Sequence, residues 1–303
     1  TITAGSLTVT ASDALPSAGY SSKAKTTGSA GGLIGVDATV SNATNTGAVR
    51  SFVQDGTTLD IAGATVISTD NNTRQYAEAN SNVGGLVAVG VSTAKVTSST
   101  TTEAYLGSGV KLTGGSLSIT ATGADDNFAY TVAGSIGGIS VSSATATTVN
   151  TSTTRAEIKD GVAGRTIDLS TRGTGAFGIT ADHTATFNSQ VKALAGGLFG
   201  GTGAEIDNTV SSSVEAKVGN NVSVKARDVA MDAVNRARKN SLFDGNIDGE
   251  AYGIIAGGSA DSETLISFTT LVTVGNGASL EVVGSVASPG NFKLKALNDL
   301  LVK

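Results

Sequence analysis

Pairs of adjacent glycines recur along the chain at a nearly constant interval, and this repeat limits the folds that the sequence can adopt. The pairs stand at 31–32, 84–85, 137–138, 196–197 and 257–258, with 53, 53, 59 and 61 residues between successive pairs. A fixed period of this kind is typical of repeat architectures, in which each unit packs against its neighbours. The sequence therefore predicts a single elongated array, although 303 residues would ordinarily suggest about two compact domains.

Two further markers keep the phase of the glycine pairs. A closing marker that ends in Gly or Asn stands at 52–56, 105–109, 157–161, 217–221 and 273–277. An opening marker of alternating apolar and polar residues stands at 7–11, 117–121, 177–181, 222–226 and 292–296, with a weaker copy at 64–68. Because alternation with a period of two indicates β-strands, we predict an all-β repeat. Its units are placed at roughly 5–62, 63–113, 114–171, 172–221 and 222–280, with a partial unit at 281–303.

The composition favours a parallel β-helix, or β-solenoid, as the fold of this array. The chain has 40 Gly, 2 Pro, no Cys and only 4% aromatic residues, which predicts a thin interior of small aliphatic side chains. Proline is scarce where every inner coil must donate its ladder hydrogen bonds. Each unit is expected to form two coils of roughly 26 residues, and the stack to form a rod on the order of 50 Å long.

Two features leave alternatives open. Gly-Gly also suits the tight turns of β-hairpins, so stacked antiparallel hairpins are a competing architecture. The pairs lie within apolar runs such as Val83–Val91, which favours the β-helix.

The stretch from Val229 to Leu242 has helical spacing of its apolar residues, and it is interpreted as either a helix or an insertion.

The repeat style resembles that of large secreted bacterial adhesins. The alternating opener, the central run Val83–Val91 and the closer Thr102–Gly109 are similar to repeats of filamentous-haemagglutinin-like and leukotoxin-like filamentous proteins. The resemblance implies a β-solenoid shaft segment of a longer tandem-repeat protein, located outside the bacterium or on its cell surface. It also implies a structural role in cell adhesion or in filament or matrix formation. Expected partners are neighbouring repeats, a second copy stacked end to end, or host or cell-surface glycans and proteins.

One short segment predicts a calcium site. Asp244, Asn246, Asp248 and Glu250 place oxygen ligands at alternate positions around Gly249, as at the start of a calcium-binding loop. The twelfth position of that loop is Ile255, where a complete loop has a bidentate Glu. A polar turn between strands is the competing interpretation. Apart from this possible calcium ion, no cofactor is expected.

The chain carries few signals for catalysis. The sole histidine, His183, is interpreted as an ordinary surface residue. A carbohydrate-active or carbohydrate-binding β-helix is the alternative function, because such enzymes use clustered carboxylates. The candidate clusters are Asp125 with Asp126, and Asp160 with Lys159 and Arg155. Neighbouring residues on a strand point to opposite faces, which disfavours the first pair. We therefore expect a protein that is not an enzyme.

Other classes of partner and segment find no support in the sequence. With 20 basic and 25 acidic residues, the net charge of −5 provides no electrostatic footprint for nucleic acid. The longest apolar run has nine residues, too few for a membrane span. The first residues lack the pattern of a signal peptide. An Asp also recurs after the opening markers, at 13, 70, 125, 182 and 228, and indicates either turns or a column of stacked carboxylates.

Overall fold

The computed structural model describes residues 1–16, 19–239, 246–284 and 289–301. These residues form an all-β structure in which every strand pair is parallel, and none of them is helical. The prediction of a parallel β-solenoid is therefore confirmed. The antiparallel hairpin alternative is wrong, because each strand pairs with its equivalents in the coils before and after it.

Among the described residues, eighteen strands build five successive coils and part of a sixth. The first coil contains β1 (Ile2–Ala4), β2 (Leu7–Asp13), β3 (Ser22–Asn45) and β4 (Ala48–Val53). The second contains β5 (Thr58–Ser98) and β6 (Thr101–Leu106), and the third β7 (Lys111–Asn150) and β8 (Thr153–Ile158). The fourth contains β9 (Thr166–Asp168), β10 (Ala176–Val210) and β11 (Ser213–Val218). The fifth contains β12 (Ser223–Ala226), β13 (Asp228–Lys239), β14 (Ile247–Tyr252), β15 (Ile255–Ile266) and β16 (Thr269–Val274), followed by β17 (Ser279–Val282) and β18 (Phe292–Leu301).

Each sequence repeat forms one coil. Ile34 pairs with Val87, which pairs with Ile139, so equivalent residues of neighbouring coils are separated by a whole repeat. The expectation of two coils of roughly 26 residues per repeat is wrong, because one wide coil uses the whole unit. Five coils at about 4.8 Å each give a stack about 25 Å high. The described part of the chain is therefore a broad, flat slab and not the long rod expected.

The strand register corrects the assignment of three sequence segments. Val229–Ala233, in the stretch with helical spacing, pairs with Phe177–Ala181 and is the true opener of the fifth coil. The marker at 222–226 belongs to another face, where Ser223 pairs with Thr166. The weaker copy at 64–68 is shifted by one residue, since Leu7 pairs with Thr65. Local alternation does not distinguish one face of the coil from another.

The fifth glycine pair is also out of register. Gly85, Gly137 and Gly197 stack on one another at a sharp corner of the coil, but Gly257 pairs with Gly201 on the return strand. A Cβ atom added to Gly137 or Gly197 would overlap the carbonyl oxygen of the stacked glycine in the preceding coil. Gly253 occupies this position in the fifth coil, where an added Cβ would meet the Gly197 oxygen. This close approach of backbones explains why the corner needs glycine.

Two regions make up the cross-section of each coil. We call the three-sided part the prism; in the second coil it consists of residues 58–62, 64–70 and 101–106. We call the flat part the arm; in the same coil it runs outward along 71–84, turns at the glycine corner and returns along 85–98. The 14 outward residues of one arm layer span about 45 Å. The coil is therefore much wider than the stack is high.

Large aliphatic side chains fill the prism. Its core consists of side chains such as Ile67, Leu112 and Ile119, all 0% exposed. They come from the apolar positions of the alternating openers and closers, which point inward on all three faces. The closing turns hold this shape through residues with positive φ, which include Gly56 and Asn221. Glycine and asparagine adopt this conformation most readily, so the closing markers end in them.

Small side chains fill the arm. Its core includes Ala79, Ala94, Ala129 and Ala144, with Val96, Val191 and Ile206 as larger members. Next to the prism, the arm of the fourth coil also buries Phe187, which is 1% exposed. Serine hydroxyls bridge the two layers near the corner, where Ser135 Oγ and Ser142 Oγ are 2.8 Å apart. The two layers lie close together because nothing larger than alanine or serine separates them at these points.

Candidate functional site

A buried polar layer separates the prism core from the arm core. Its centre is Asp125, which is 2% exposed and lies on β7. The Asp125 carboxylate accepts hydrogen bonds from Thr73 Oγ1 at 2.6 Å, Thr100 Oγ1 at 3.3 Å and Asn150 Nδ2 at 2.8 Å. These donors come from two neighbouring coils and both layers. Burial of a carboxylate is costly without such partners, so the layer fixes the register of the coils it joins.

His183 faces this layer from the next coil. It is 0% exposed, so its interpretation as a surface residue is wrong. Its Nε2 atom lies 3.5 Å from Asp125 Oδ2, and its Nδ1 atom lies 3.1 Å from Thr154 Oγ1. Burial lowers the pKa of His183, and the nearby carboxylate of Asp125 opposes this shift only in part. The ring fills the space beside Gly123, where an added Cβ would overlap its Nδ1 atom.

The buried histidine, carboxylate and hydroxyl resemble a catalytic set only in composition. All three side chains lie in the interior, and Thr154 and His183 are each 0% exposed. A substrate would have to separate the two layers to reach them. We therefore treat this group as a structural feature of the interior.

The two carboxylate clusters predicted from the sequence do not come together as working pairs. Asp125 points inward, whereas Asp126 points outward and pairs with Arg74 at 2.9 Å, as strand geometry predicts. Asp160 Oδ1 accepts a hydrogen bond from the backbone N–H of Asn220 at 2.8 Å and so links two closing turns.

The neighbours of Asp160 are engaged elsewhere. Arg155 pairs with Glu215 at 3.0 Å, and the Lys159 ammonium lies 4.0 Å from the centre of the Tyr105 ring. Arg155, Lys159 and Asp160 do line one shallow depression of about 270 Å³ on the outer surface. Each of the three nevertheless has a structural partner of its own.

The recurrent aspartates do not form a column. Asp70 pairs with Thr122, and Asp13 pairs with Asn71, so the positions of these carboxylates differ from coil to coil. Strands β5, β7 and β10 continue through Asp70, Asp125 and Asp182, so the turn interpretation is wrong for these three.

The candidate calcium segment lies partly outside the described residues. Asp244 and Gly245 are not described, and Asn246 immediately precedes β14. Asp248 and Glu250 lie on β14, which pairs with Val191–Gly196 of the preceding coil. Glu250 accepts a hydrogen bond from the Tyr252 hydroxyl, which raises the pKa of that phenol. Within the described ranges no cluster of three or more acidic or histidine side chains could hold a metal ion, and the calcium site stays a prediction.

Sequence reasoning missed a groove on the outer surface of the arm. Three aromatic rings from successive coils form its wall, with centroids 5.4 Å apart for Tyr20 and Tyr76 and 5.5 Å apart for Tyr76 and Phe128. The groove has a volume of about 510 Å³. The register explains the wall, because Tyr76 pairs directly with Phe128. This signal becomes visible in the sequence only once the coil is known to take up the whole repeat.

Charged side chains surround the aromatic wall of this groove. Lys25 pairs with Glu78 at 2.9 Å, and Arg74 pairs with Asp126. Tyr76 donates a hydrogen bond to Glu78 Oε2, while partial burial is the main cause that raises the Tyr76 pKa. Among the described residues no carboxylate pairs with Lys23, whose ammonium lies 5.0 Å from the centre of the Tyr20 ring. The groove therefore presents an aromatic surface beside the Lys23 ammonium, which has no acidic partner among the described residues.

The end coils expose positions that are buried inside the stack. Phe292 of β18 lies in register with Val229, and through it with Phe177. Phe292 is 52% exposed, whereas Phe177 is 2% exposed. The described ends of the solenoid therefore present interior apolar side chains and unpaired strand edges.

Comparisons with known proteins do not assign the chain to a family. No protein-family model, curated protein or solved structure matches the chain. No helix long and apolar enough to cross a membrane occurs among the residues that the structure describes.

Proposed function

We propose that this chain is a structural shaft segment of an exported bacterial surface or extracellular filamentous protein. In this role it supports adhesion or the formation of a filament or matrix. The single observation that carries the proposal is the in-register ladder of parallel coils whose end positions remain open to further stacking. Location outside the cell rests on the resemblance in repeat style alone.

The end coils support the expectation of neighbouring repeats or of a second copy stacked on the end. Leu294 is 46% exposed at the end of the stack, whereas its partner Met231 is 0% exposed. Another coil on this face would remove the side chain from water and pair the free N–H and C=O groups of β18. Solenoids extend by such addition of like units.

Outward-facing ion pairs between coils also suit a load-bearing role. Arg50 pairs with Glu103 at 2.6 Å, and in the same column Arg155 pairs with Glu215. Charges of alternating sign avoid repulsion between stacked side chains. The candidate catalytic side chains are tied into equivalent structural contacts, which supports our proposal that the segment is not an enzyme.

Negative-stain electron microscopy at increasing protein concentration tests the stacking on which a shaft depends. We expect stacks of constant width that lengthen with concentration. Phe292→Lys with Leu294→Lys places charge on the open end and should shorten them. Val91→Lys with Val162→Lys is the matched control, because both residues are exposed apolar side chains of inner coils. Unstacked particles at every concentration, or equal shortening by the control, would contradict the proposal.

The groove favours a second candidate function, the binding of a saccharide that carries a carboxylate. Aromatic faces pack against the apolar C–H surface of sugar rings, and Lys23 could receive the acidic group. A volume of about 510 Å³ lies within the usual range for small-ligand sites. In this function the segment would bind a glycan without transforming it.

Titration calorimetry with uronic-acid oligosaccharides tests this second function. We expect binding that Lys23→Ala and Tyr76→Ala each weaken at least tenfold, while a neutral oligosaccharide of equal length binds less tightly. Tyr105→Ala with Lys159→Ala is the control, because it removes another pairing of an aromatic ring with a lysine, outside the groove. No heat with any oligosaccharide, or equal weakening by the control, would rule the site out.

A further inference from the structure

An apolar edge runs along the stack at the glycine corners. It is formed by the large side chains that directly follow the stacked glycines. They are Leu33, Ile34, Leu86, Val87, Ile139, Leu198, Phe199, Ile254 and Ile255. The second residue of each pair forms one column, because Ile34, Val87, Ile139, Phe199 and Ile255 lie in register. Each of the five coils therefore carries a large apolar residue at this position.

These side chains are exposed to an unusual degree. Leu33 is 74% exposed, Leu86 61%, Leu198 55% and Ile254 83%. Ile136 and Tyr252, which precede the corner glycine in their coils, are also largely exposed. Single exposed apolar residues are common, but a contiguous row of them marks an interaction surface. The row spans the first coil to the fifth, with Gly138 in place of the first large residue in the third coil and a half-buried Val87 in the second.

The edge also lacks ionisable charge. Residues 26–36, 79–94, 127–154, 193–204 and 251–260 contain no Lys, Arg, Asp, Glu or His. All the charged groups of a chain with net charge −5 therefore lie elsewhere. Two such edges can approach each other without repulsion between charges on the facing residues, whereas a strongly charged partner would find no complementary group.

We propose that two copies of this chain associate side by side through their apolar edges. The edge presents its side chains once per coil, at the spacing of parallel strands. A partner that matches this spacing along the whole edge must itself be a stack of coils. A second copy provides that match, and the same surface on both copies gives a closed, two-fold interface.

The size of the edge is sufficient for a dimer. Complete burial of a large aliphatic side chain removes on the order of 100 Å² from water. Ten of the side chains named above are exposed, and they retain about half of this area or more. Pairing would therefore bury on the order of 600 Å² per copy, at the lower end of the range of roughly 600–1,000 Å² per partner for a standard interface. This lateral contact is distinct from stacking at the open ends.

Sedimentation velocity of the chain between 1 and 100 µM tests the proposal. We expect a concentration-dependent dimer that shifts to monomer in the triple variant Leu33→Asp, Leu86→Asp and Leu198→Asp. The variant should keep the melting temperature of the parent, because the three side chains are exposed in the single chain. The matched control is Phe52→Asp, Val162→Asp and Leu271→Asp, which adds the same charge at exposed apolar positions away from the edge. It should still dimerise.

A monomeric parent chain at 100 µM, or a dimer that survives the triple variant, would overturn the proposal. Open-ended polymers that only the end substitutions Phe292→Lys and Leu294→Lys abolish would show that stacking alone accounts for association. Co-sedimentation of a monomeric chain with neutral phosphatidylcholine vesicles would assign the edge to a lipid surface and would equally overturn it.

A second measurement does not depend on introduced charge. The chain has no cysteine, so a single Ile139→Cys substitution places one thiol in the third of the five coils, at the middle of the edge. Under mild oxidation we expect a disulfide-linked dimer that forms at least tenfold faster than with Phe52→Cys on another face. Equal rates for the two variants would contradict lateral pairing.

Discussion

The prism and the arm of each coil are built by the same parallel ladder but from different interiors. The prism holds large aliphatic side chains on three faces, whereas the arm holds mainly small side chains, above all alanine, serine and threonine, between two layers. Stability in the prism comes mainly from burial of apolar area. In the arm, stability comes instead from the close packing of two backbones and from hydrogen bonds of hydroxyl groups between coils. The two regions should therefore respond in opposite ways to a change in side-chain size.

The largest effect is expected when a side chain of the prism is shortened. Leu112→Ala removes a fully buried side chain and leaves a cavity, so it should lower the free energy of unfolding by about 2–5 kcal/mol. Chemical denaturation monitored by circular dichroism measures this change. Lys111→Ala, at the exposed neighbouring position, is the control and should change the stability little. A loss below about 1 kcal/mol for Leu112→Ala would contradict a tightly packed prism.

Enlarging a side chain should be harmful in the arm. Ala133→Leu forces three extra carbons between layers that only small residues separate, and we expect a loss of about 1–3 kcal/mol. Val132→Leu enlarges the outward-facing neighbour and should cost much less. The same denaturation experiment compares the two variants. If Ala133→Leu were neutral or stabilising, the arm would have more internal space than the structure contains.

The boundary between the two regions should respond to pH through His183. The pKa of His183 is lowered in the folded state. At pH values below about 6.5, the ordinary pKa of histidine, the unfolded chain therefore binds more protons than the folded chain. Stability is therefore full above that value and falls as the pH drops below it. The melting temperature should be lower at pH 5.5 than at pH 7.5. His183→Gln should reduce this difference, and an unchanged pH profile in that variant would assign the dependence to other groups.

The smallest effect is expected on the outer surface of the prism. The ion pair of Arg50 with Glu103 is exposed, and such pairs contribute only about 0.2–1 kcal/mol. A double-mutant cycle with Arg50→Ala and Glu103→Ala measures the coupling at low and high salt. We expect a small favourable coupling that salt reduces. A coupling above about 2 kcal/mol would mean that surface charge, and not the interior, stabilises the stack.

The sequence predicted the prism better than the arm. Leu117 and Ile119 alternate with serine and threonine, so their strand and its buried face could be recognised. In the arm, alanine alternates with residues of similar polarity, and the pattern weakens although burial still alternates along most of each layer. The length of the coil was therefore misjudged, because the arm doubles the residues that each turn of the solenoid requires.

The polar layer could have been found by counting along a strand. His183 and Phe177 are an even number of residues apart on β10, so both point inward, and Asp125 has the same relation to Leu117 on β7. The groove and the apolar edge were harder to find. Both depend on which residues stack on one another in neighbouring coils. This strand register can be derived from the sequence repeat only when the number of residues per coil is known.

The central claim is that one coil uses one whole repeat, and disulfide formation tests it directly. Asp70 and Thr122 are exposed partners on adjacent strands, about 4.8 Å apart along the stack, which suits a disulfide. In a chain without other cysteines, Asp70→Cys with Thr122→Cys should form an intramolecular disulfide detectable by mass spectrometry. Asp70→Cys with Lys95→Cys should not, because Lys95 faces outward from the opposite layer of the arm. Rapid cross-linking of the second pair and none of the first would contradict the wide coil and favour coils of half the length.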